Sequence, residues 1–224
     1  MRGLLLMANS GTGDLSDTGR LLRGAAQGQG EQWGALLERH RERLRRMVAL
    51  RLDPRLQGRI DASDVIQDTY VEASLRLAEY LANPSMPFFL WLRFLAGQKL
   101  LTLHRHHLGT QMRDAGREIS IYRGRLPETS SAALAAQLLG HDTRPSEAAI
   151  RAEMKVRLQE ALNNLDPLDR EVLALRHFEQ LNLAETAKVL GLTESGASRR
   201  HLRAVKRLKE ILRQMPGNMG DLLP

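Results

Sequence analysis

The sequence lacks cysteine, has few aromatic residues and contains no long apolar run. The absence of cysteine from its 224 residues excludes disulfides, thiolate metal ligands, cysteine nucleophiles and iron–sulfur clusters. Aromatic residues make up only 4% of the chain, which argues against an amphipathic helix anchored at a membrane surface. No segment is long and apolar enough to span a bilayer. We therefore expect a cytoplasmic protein that does not insert into membranes.

The sequence is also poor in motifs that support catalysis or cofactor binding. It shows no glycine-rich phosphate loop, nucleophile elbow or paired-carboxylate arrangement, so we expect no enzymatic activity and no cofactor. His104, His106 and His107 raise the alternative of a metal hydrolase. Zinc catalysis usually needs a third protein ligand, often a carboxylate, and none accompanies these histidines. We therefore expect no metal site.

What the chain does contain is positive charge. It has 33 Lys and Arg against 26 Asp and Glu, a formal net charge of +7. Such a chain is attracted to polyanions, and nucleic acid is the leading candidate.

Helical periodicity predicts an all-α protein. The patterns cover residues 31–52, 62–82, 87–107, 146–164, 167–178, 182–190 and 194–214. Glycine, proline and serine interrupt the pattern between residues 109 and 145, leaving room for a short helix over 132–139. We therefore predict two small helical domains joined by a flexible linker. Their order is a disordered leader (1–16), an N-terminal domain (17–108), the linker (109–145), a C-terminal domain (146–214) and a tail (215–224).

The C-terminal domain carries a helix-turn-helix pattern. Gly191 can adopt the left-handed conformation that ends a helix, and Thr193 can cap the next helix. The apolar side chains that pack the two helices are Leu183, Ala187, Leu190 and Leu192. Gly196 weakens the second helix, either to allow close approach to DNA or because the first turn is frayed.

The second helix offers contacts for both parts of DNA recognition. The N-terminal side chains of a recognition helix reach base edges, and later ones reach phosphates. We expect base contacts from Ser195, Ser198, Arg199 and Arg203, and phosphate contacts from Arg200, Lys206 and Arg207. Basic surface helices without nucleic-acid function are common, so the prediction rests on the turn pattern and the charge together.

Two stripes run along the helix over residues 62–82. The first should face the core: Ile66, Thr69, Tyr70, Ala73, Leu77 and Leu81. The second consists of Asp64, Gln67, Asp68 and Glu72. In a basic protein this acidic stripe is either a docking face for a positively charged partner or an ordinary solvated face.

An aromatic cluster is followed by cations: Phe88, Phe89, Trp91 and Phe94 precede Lys99 and Arg105. Rings beside cations suit single-stranded nucleic acid, because bases stack on the rings while the cations follow the phosphates. Core packing explains Phe88 and Phe94 equally well. For Trp91, core packing and base contact both remain open.

Two segments resemble the extracytoplasmic-function (ECF) class of bacterial sigma factors of the sigma-70 family. They are Asp61-Ala-Ser-Asp-Val-Ile-Gln-Asp-Thr-Tyr70 and Leu165-Asp-Pro-Leu-Asp-Arg-Glu-Val-Leu173, and the resemblance extends over residues 17–108 and 146–214. It implies a subunit that binds core RNA polymerase and directs promoter-specific initiation by recognising and melting DNA.

The resemblance also assigns partners to the stripes and helices. It implies that the acidic stripe, through Asp64, Gln67 and Asp68, contacts the clamp helices of the largest polymerase subunit. The segment from Phe88 to His107 is implied to act near the minus-ten element. The helix-turn-helix domain is implied to read the minus-thirty-five element beside the flap of the second-largest subunit. The family commonly has an anti-sigma factor, so such a partner is implied as well.

The chain departs from the family pattern at two places. Ala96-Gly97-Gln98 stands where the family usually has Ala-Arg-Asn, and Thr102 replaces a frequent Asp. In the recognition helix, Gly196-Ala-Ser-Arg-Arg-His-Leu-Arg203 replaces Thr-Val-Lys-Ser-Arg-Leu-His-Arg, so we expect an unusual upstream sequence preference. The alternative function is a free-standing helix-turn-helix regulator, which would bind a duplex operator unaided.

Overall fold

The computed structural model describes residues 14–53, 55–56, 58–108, 126–139 and 148–214. Within these ranges every regular element is helical, which confirms the predicted all-α class. The N-terminal half contains α1 (Asp14–Ala26), α2 (Gly30–Arg51), α3 (Ala62–Ala82) and α4 (Phe88–Leu108). The rest contains α5 (Ser131–Leu139), α6 (Ala148–Asn163), α7 (Pro167–Leu173), α8 (Leu183–Leu190) and α9 (Glu194–Gln214). No helix in the described ranges has the length and apolarity needed to span a membrane.

Helices α1 to α4 form the N-terminal bundle. Helix α2 packs against α1, α3 and α4, and fully buried leucines from α2 and α4 fill the space between them. The core stripe predicted for α3 is confirmed, since Ile66, Thr69 and Ala73 are buried and the other three members pack partly buried against the core. Helix α1 was not predicted. It buries Leu21 and Leu22, but its polar and glycine content obscures the periodicity.

Helix α3 begins with a capping box. Asp64 accepts a hydrogen bond from the backbone N–H of Asp61 at 3.1 Å, and Asp61 accepts one from the N–H of Ser63 at 3.4 Å. These contacts satisfy backbone donors that the first turn of a helix leaves without partners. One carboxylate oxygen of Asp64 is therefore used to cap the N-terminus of α3.

Part of the predicted linker is packed rather than free. Helix α5, close to the short helix expected there, packs against α6. The backbone N–H of Ser130 donates to Leu50 O at 2.9 Å, and the Thr129 hydroxyl donates to Glu171 at 2.5 Å. Leu126 lies over Gly97 of α4, so closely that a Cβ on this glycine would come within 1.8 Å of it. The remainder of the predicted linker, most of the leader and the tail lie outside the described residues.

A buried ion network joins the two halves. Arg51 of α2 contacts both Glu171 of α7 and Glu179, with 2.6 Å between its Nη1 and Glu179 Oε1. Arg93 of α4 donates to Glu179 at 2.6 Å and lies 3.3 Å from Glu171. The side chains of Arg51 and Glu179 are completely buried. Burial alone would raise the pKa of the Glu179 carboxyl, but Arg51 and Arg93 outweigh it and hold this pKa below its usual value.

The backbone before Glu179 is shaped to bring it into this network. Helix α7 continues into a π-helical turn, Ala174–Phe178, where the sequence predicted an unbroken α-helix. Gln180 then adopts a left-handed conformation at φ 54°. Arg43 of α2 donates to the carbonyls of Glu179 and Gln180 at 2.9 and 3.2 Å, and its guanidinium lies 3.8 Å from the centre of the Phe89 ring. The extra residue in the π-helical turn and the two hydrogen bonds from Arg43 fix the direction of the Glu179 side chain.

Candidate nucleic-acid and protein interfaces

The turn between α8 and α9 has the predicted helix-turn-helix chemistry. Gly191 ends α8 in the left-handed region, at φ 63° and ψ 39°. The Thr193 hydroxyl accepts a hydrogen bond from the backbone N–H of Gly196 at 3.1 Å and so caps α9. Both predictions are confirmed. The sequence reasoning missed a capping box at the start of α8, where Asn182 and Glu185 each accept from the other's backbone N–H at 2.8 and 3.0 Å. Its signal is an Asn followed three residues later by Glu.

Gly196 belongs to an ordered first turn. Its N–H is bound by Thr193, and a Cβ at this position would lie 3.0 Å from the Thr193 hydroxyl. Of the two explanations left open by the sequence, fraying does not fit. The missing side chain makes room for the cap itself.

Helix α9 has one apolar and one basic face. Its buried side chains are Ala197, Ala204, Leu208 and Leu212. Among the predicted DNA contacts, Ser198 is partly buried; the exposed ones are Ser195, Arg199, Arg203, Lys206 and Arg207. The structure therefore brings most of the predicted base and phosphate contacts together on one outward surface, which we call the α9 face.

Arg200 lies apart from the α9 face, because it is held inside the chain. Its guanidinium donates to Asp169 at 2.7 Å and to Asp166 at 3.2 Å, and its side chain is only 24% exposed. Two carboxylates already neutralise this charge, so the contact fastens α9 to the start of α7. Both of these hydrogen bonds come from Nη1.

A pair of histidines attaches α9 to the π-helical turn. The Nε2 atoms of His177 and His201 lie 2.9 Å apart, so one ring donates to the other. Burial and then the neighbouring Arg176 lower the pKa of His177. Burial, then His177 and Arg176, lower the pKa of His201. Both shifts favour neutral rings, and the ring that accepts this hydrogen bond must be neutral.

On α3, the acidic stripe is divided by the packing. Asp64, Gln67 and Asp68 are exposed. Glu72 is less exposed and is engaged within the chain, at 2.6 Å from Arg76 and 3.9 Å from Lys99. Asp64, Gln67 and Asp68 thus present their polar groups outward, whereas Glu72 is held by cations of the same chain.

The same side of α3 carries apolar residues that sequence reasoning missed. Val71 is 63% exposed and Leu75 is 78% exposed. Val71 follows Asp68 by three residues and Leu75 follows Val71 by four, so they continue the stripe along the helix. Their signal was available in the sequence, because both fall outside the core stripe. We call Asp64, Gln67, Asp68, Val71 and Leu75 together the α3 face.

The aromatic cluster lies mainly in the core. Trp91 is 8% exposed and stacks on Tyr80 with 4.5 Å between ring centroids. Of its two possible roles, core packing is the one observed in this conformation, and base contact would require the stack to open. Lys99 lies beside Glu72, and Arg105 is exposed near the end of α4.

The three histidines of α4 do not converge. His104 is buried and its Nε2 accepts from the backbone N–H of Asp53 at 3.3 Å, while His106 and His107 are exposed. Burial, the largest effect, lowers the pKa of His104. Within the described ranges, the structure gathers no group of three or more potential metal ligands.

Comparisons with known proteins find similar sequences and a similar fold. The family described as "Sigma-70, region 4" matches residues 161–210. The chain is 24% identical over 200 residues to the ECF RNA polymerase sigma factor BldN of Streptomyces coelicolor, covering 88% of this chain and 67% of the relative. It is 30% identical over 151 residues to the ECF RNA polymerase sigma factor SigD of Mycobacterium tuberculosis, covering 67% of this chain and 63% of the relative. The matches thus span about two thirds of the length of these relatives.

A solved structure is similar along most of the chain. It is that of CnrH in complex with the cytosolic domain of CnrY, with a TM-score of 0.51 and 25% sequence identity. The match covers 88% of this chain and 96% of the matched chain.

Proposed function

Because the chain belongs to the extracytoplasmic-function class of the sigma-70 family, we propose that it binds core RNA polymerase and directs promoter-specific transcription initiation, with no catalytic step of its own. The observation that carries this proposal is the presence of two distinct surfaces on one chain. The basic α9 face suits DNA, and the acidic and apolar α3 face suits a protein. A free-standing regulator would use only the first of them.

We propose that the α9 face binds the upstream promoter element. Arg199 and Arg203 lie early enough on α9 to reach base edges, while Lys206 and Arg207 suit phosphates. Each phosphate contact releases condensed counterions, so it adds about 0.9 to the slope of log affinity against log salt concentration.

A matched pair of variants separates surface charge from structural charge. Arg207→Ala should reduce the salt slope by about one and weaken binding to all DNA sequences. Arg200→Ala removes the same charge from a side chain held by Asp166 and Asp169. It should leave the slope unchanged while lowering the free energy of unfolding. Equal slope changes in both variants would return Arg200 to the DNA contacts.

We propose that the α3 face docks on the clamp helices of the largest polymerase subunit. Its exposed carboxylates can pair with cations, and Val71 and Leu75 can be buried on contact. Asp64 is a poor test, because its removal also damages the start of α3. Asp68→Asn and Leu75→Ala avoid that problem and should each weaken binding to core polymerase. Glu153→Gln, at an exposed carboxylate of α6, is the control and should not.

We propose that Lys99 and Arg105 follow the phosphates near the minus-ten element. Trp91 contributes there only if melting opens its stack on Tyr80. Trp91 fluorescence measured in a Trp33→Phe variant should then change on open-complex formation. An unchanged emission spectrum would leave Trp91 in the core.

Run-off transcription tests the function as a whole. Core polymerase is incubated with a genomic fragment library, with and without the chain, and new transcript starts are sequenced. Discrete starts that share a pair of upstream motifs are the expected result. Specific binding to a duplex by the chain alone, with no new starts and no co-elution with core, would instead establish the free-standing regulator.

The proposal extends to location and regulation. A subunit of RNA polymerase works in the cytoplasm, where we place this chain. The solved relative CnrH was captured with the cytosolic domain of another protein, and we propose that an anti-sigma factor likewise binds this chain. Affinity purification from the native cell, followed by mass spectrometry, would identify that partner.

A further inference from the structure

An exposed leucine lies at the edge of the α9 face. Leu202 is 64% exposed and is one of four large apolar side chains that are exposed within the described ranges. Single exposed leucines are ordinary on protein surfaces. What distinguishes Leu202 is its position on the most basic helix of the chain.

The register of α9 shows what surrounds Leu202. The buried positions Ala197, Ala204 and Leu208 define the side of the helix that faces the core. Leu202 falls outside that side, three residues after Arg199, next to Arg203 and four residues before Lys206. Residues three and four apart share one face of a helix. Leu202 therefore adjoins the predicted DNA contacts Arg199 and Lys206 on one side. On its other side it lines a groove with Val205, His201 and Lys209.

The chemistry of the major groove offers one apolar partner for such a side chain. Each base pair presents donors and acceptors there, and thymine adds a C5-methyl group. A leucine beside side chains that contact the groove would be buried against that methyl, whereas against cytosine it would cover a polar edge. The leucine stands where the family pattern quoted above has a histidine, so this contact would differ from that of its relatives.

We propose that Leu202 is a specificity-determining residue that contacts a thymine methyl in the upstream promoter element. This inference rests on the proposed function, since it requires the α9 face to enter the major groove. Burial of one methyl-sized group corresponds to roughly a fourfold change in affinity.

The test replaces thymines of the mapped promoter one at a time with deoxyuridine. This substitution removes only the methyl and keeps the hydrogen-bonding groups of the base. Affinity is measured by fluorescence anisotropy with holoenzyme assembled from core polymerase and the full chain. For the unmodified chain, one upstream position should lose about fourfold in affinity. The Leu202→Ala holoenzyme should bind the thymine promoter more weakly and lose nothing further at that position.

Two controls keep the outcomes distinct. Val156→Ala alters an apolar side chain of α6 that is 56% exposed and should leave the deoxyuridine effect intact. Leu202→Gln places an amide that can pair with adenine, so it should shift the preference at the same position from thymine toward adenine.

Several results would overturn the inference while the proposed function stands. In one, the holoenzyme recognises its promoter but is indifferent to every thymine methyl. In another, Leu202→Ala retains the full deoxyuridine effect. In a third, Leu202→Ala weakens assembly with core polymerase instead of DNA binding, which would assign the residue to a protein interface. Failure of the unmodified chain to bind core or to produce new starts would contradict the proposed function itself.

Discussion

The buried ion network makes a quantitative prediction about the contact between the two halves. Glu179 lies between Arg51 and Arg93, and its side chain is completely buried. The change Glu179→Gln keeps the shape of the side chain and removes its charge. Two buried arginines then share Glu171 as their remaining carboxylate in this network. Breaking a buried ion pair by removing one partner costs about 3–5 kcal/mol, a large part of a total stability of roughly 5–15 kcal/mol.

The assay is urea unfolding followed by circular dichroism, with Glu153→Gln as the matched control. Glu153 pairs with Arg157 on the surface of α6, and its side chain is 62% exposed. An exposed pair of this kind contributes about 0.3–0.5 kcal/mol. The same chemical change should therefore cost several times more at Glu179 than at Glu153.

A double variant tests whether charge balance is the cause. Arg93→Met combined with Glu179→Gln leaves one arginine, Arg51, opposite one glutamate, Glu171. The two changes should then cost less together than the sum of their separate effects. A cost at Glu179 no larger than at Glu153, or strictly additive effects in the double variant, would refute the reasoning.

Three further predictions concern single positions. Burial and then the nearby Arg43 and Arg39 lower the pKa of His40 to about 4, so the unfolded chain binds the proton first as the pH falls below about 6.5. The free energy of unfolding should then drop by up to about 3 kcal/mol by pH 4. The variant His40→Phe should lack this part of the pH dependence. Parallel profiles of unfolding free energy against pH for the variant and the unmodified chain would contradict the prediction. Gly97→Ala should displace Leu126 and accelerate tryptic cleavage after Arg125, whereas an unchanged cleavage rate would mean that the segment adjusts without loosening. Gly191→Ala should cost about 1 kcal/mol because φ is 63°, and a smaller loss in thermal unfolding would show that the turn relaxes.

The sequence predicted those parts of the fold that depend on local chemistry. The limits of α3 and α9, the left-handed Gly191 and the cap at Thr193 follow from periodicity and from residue types at helix ends. Helix α1 was not predicted, because its glycines and polar residues weaken the periodicity of apolar residues.

The contacts between the halves could not be predicted in this way. Glu179 and Arg93 are 86 residues apart in the chain, and nothing near either residue indicates the other. The π-helical turn that positions Glu179 resembles a continuous helix in its pattern of apolar residues. Long-range pairing of this kind depends on how the bundles pack, and a single sequence does not record that packing.

The division between buried and exposed cations explains why the turn pattern and the positive charge together pointed to the DNA-binding helix but not to each contact. Arg200 and Arg203 lie three residues apart on α9 and are indistinguishable by charge. Asp166 and Asp169 pair with Arg200 and not with Arg203, because the start of α7 packs against the side of α9 that carries Arg200. A cation whose charge is balanced inside the fold releases no counterions when DNA binds, so it adds stability and little affinity. We therefore propose that the charge which binds DNA is the charge that the fold leaves unbalanced, and on α9 it adjoins the leucine that we propose to read a base.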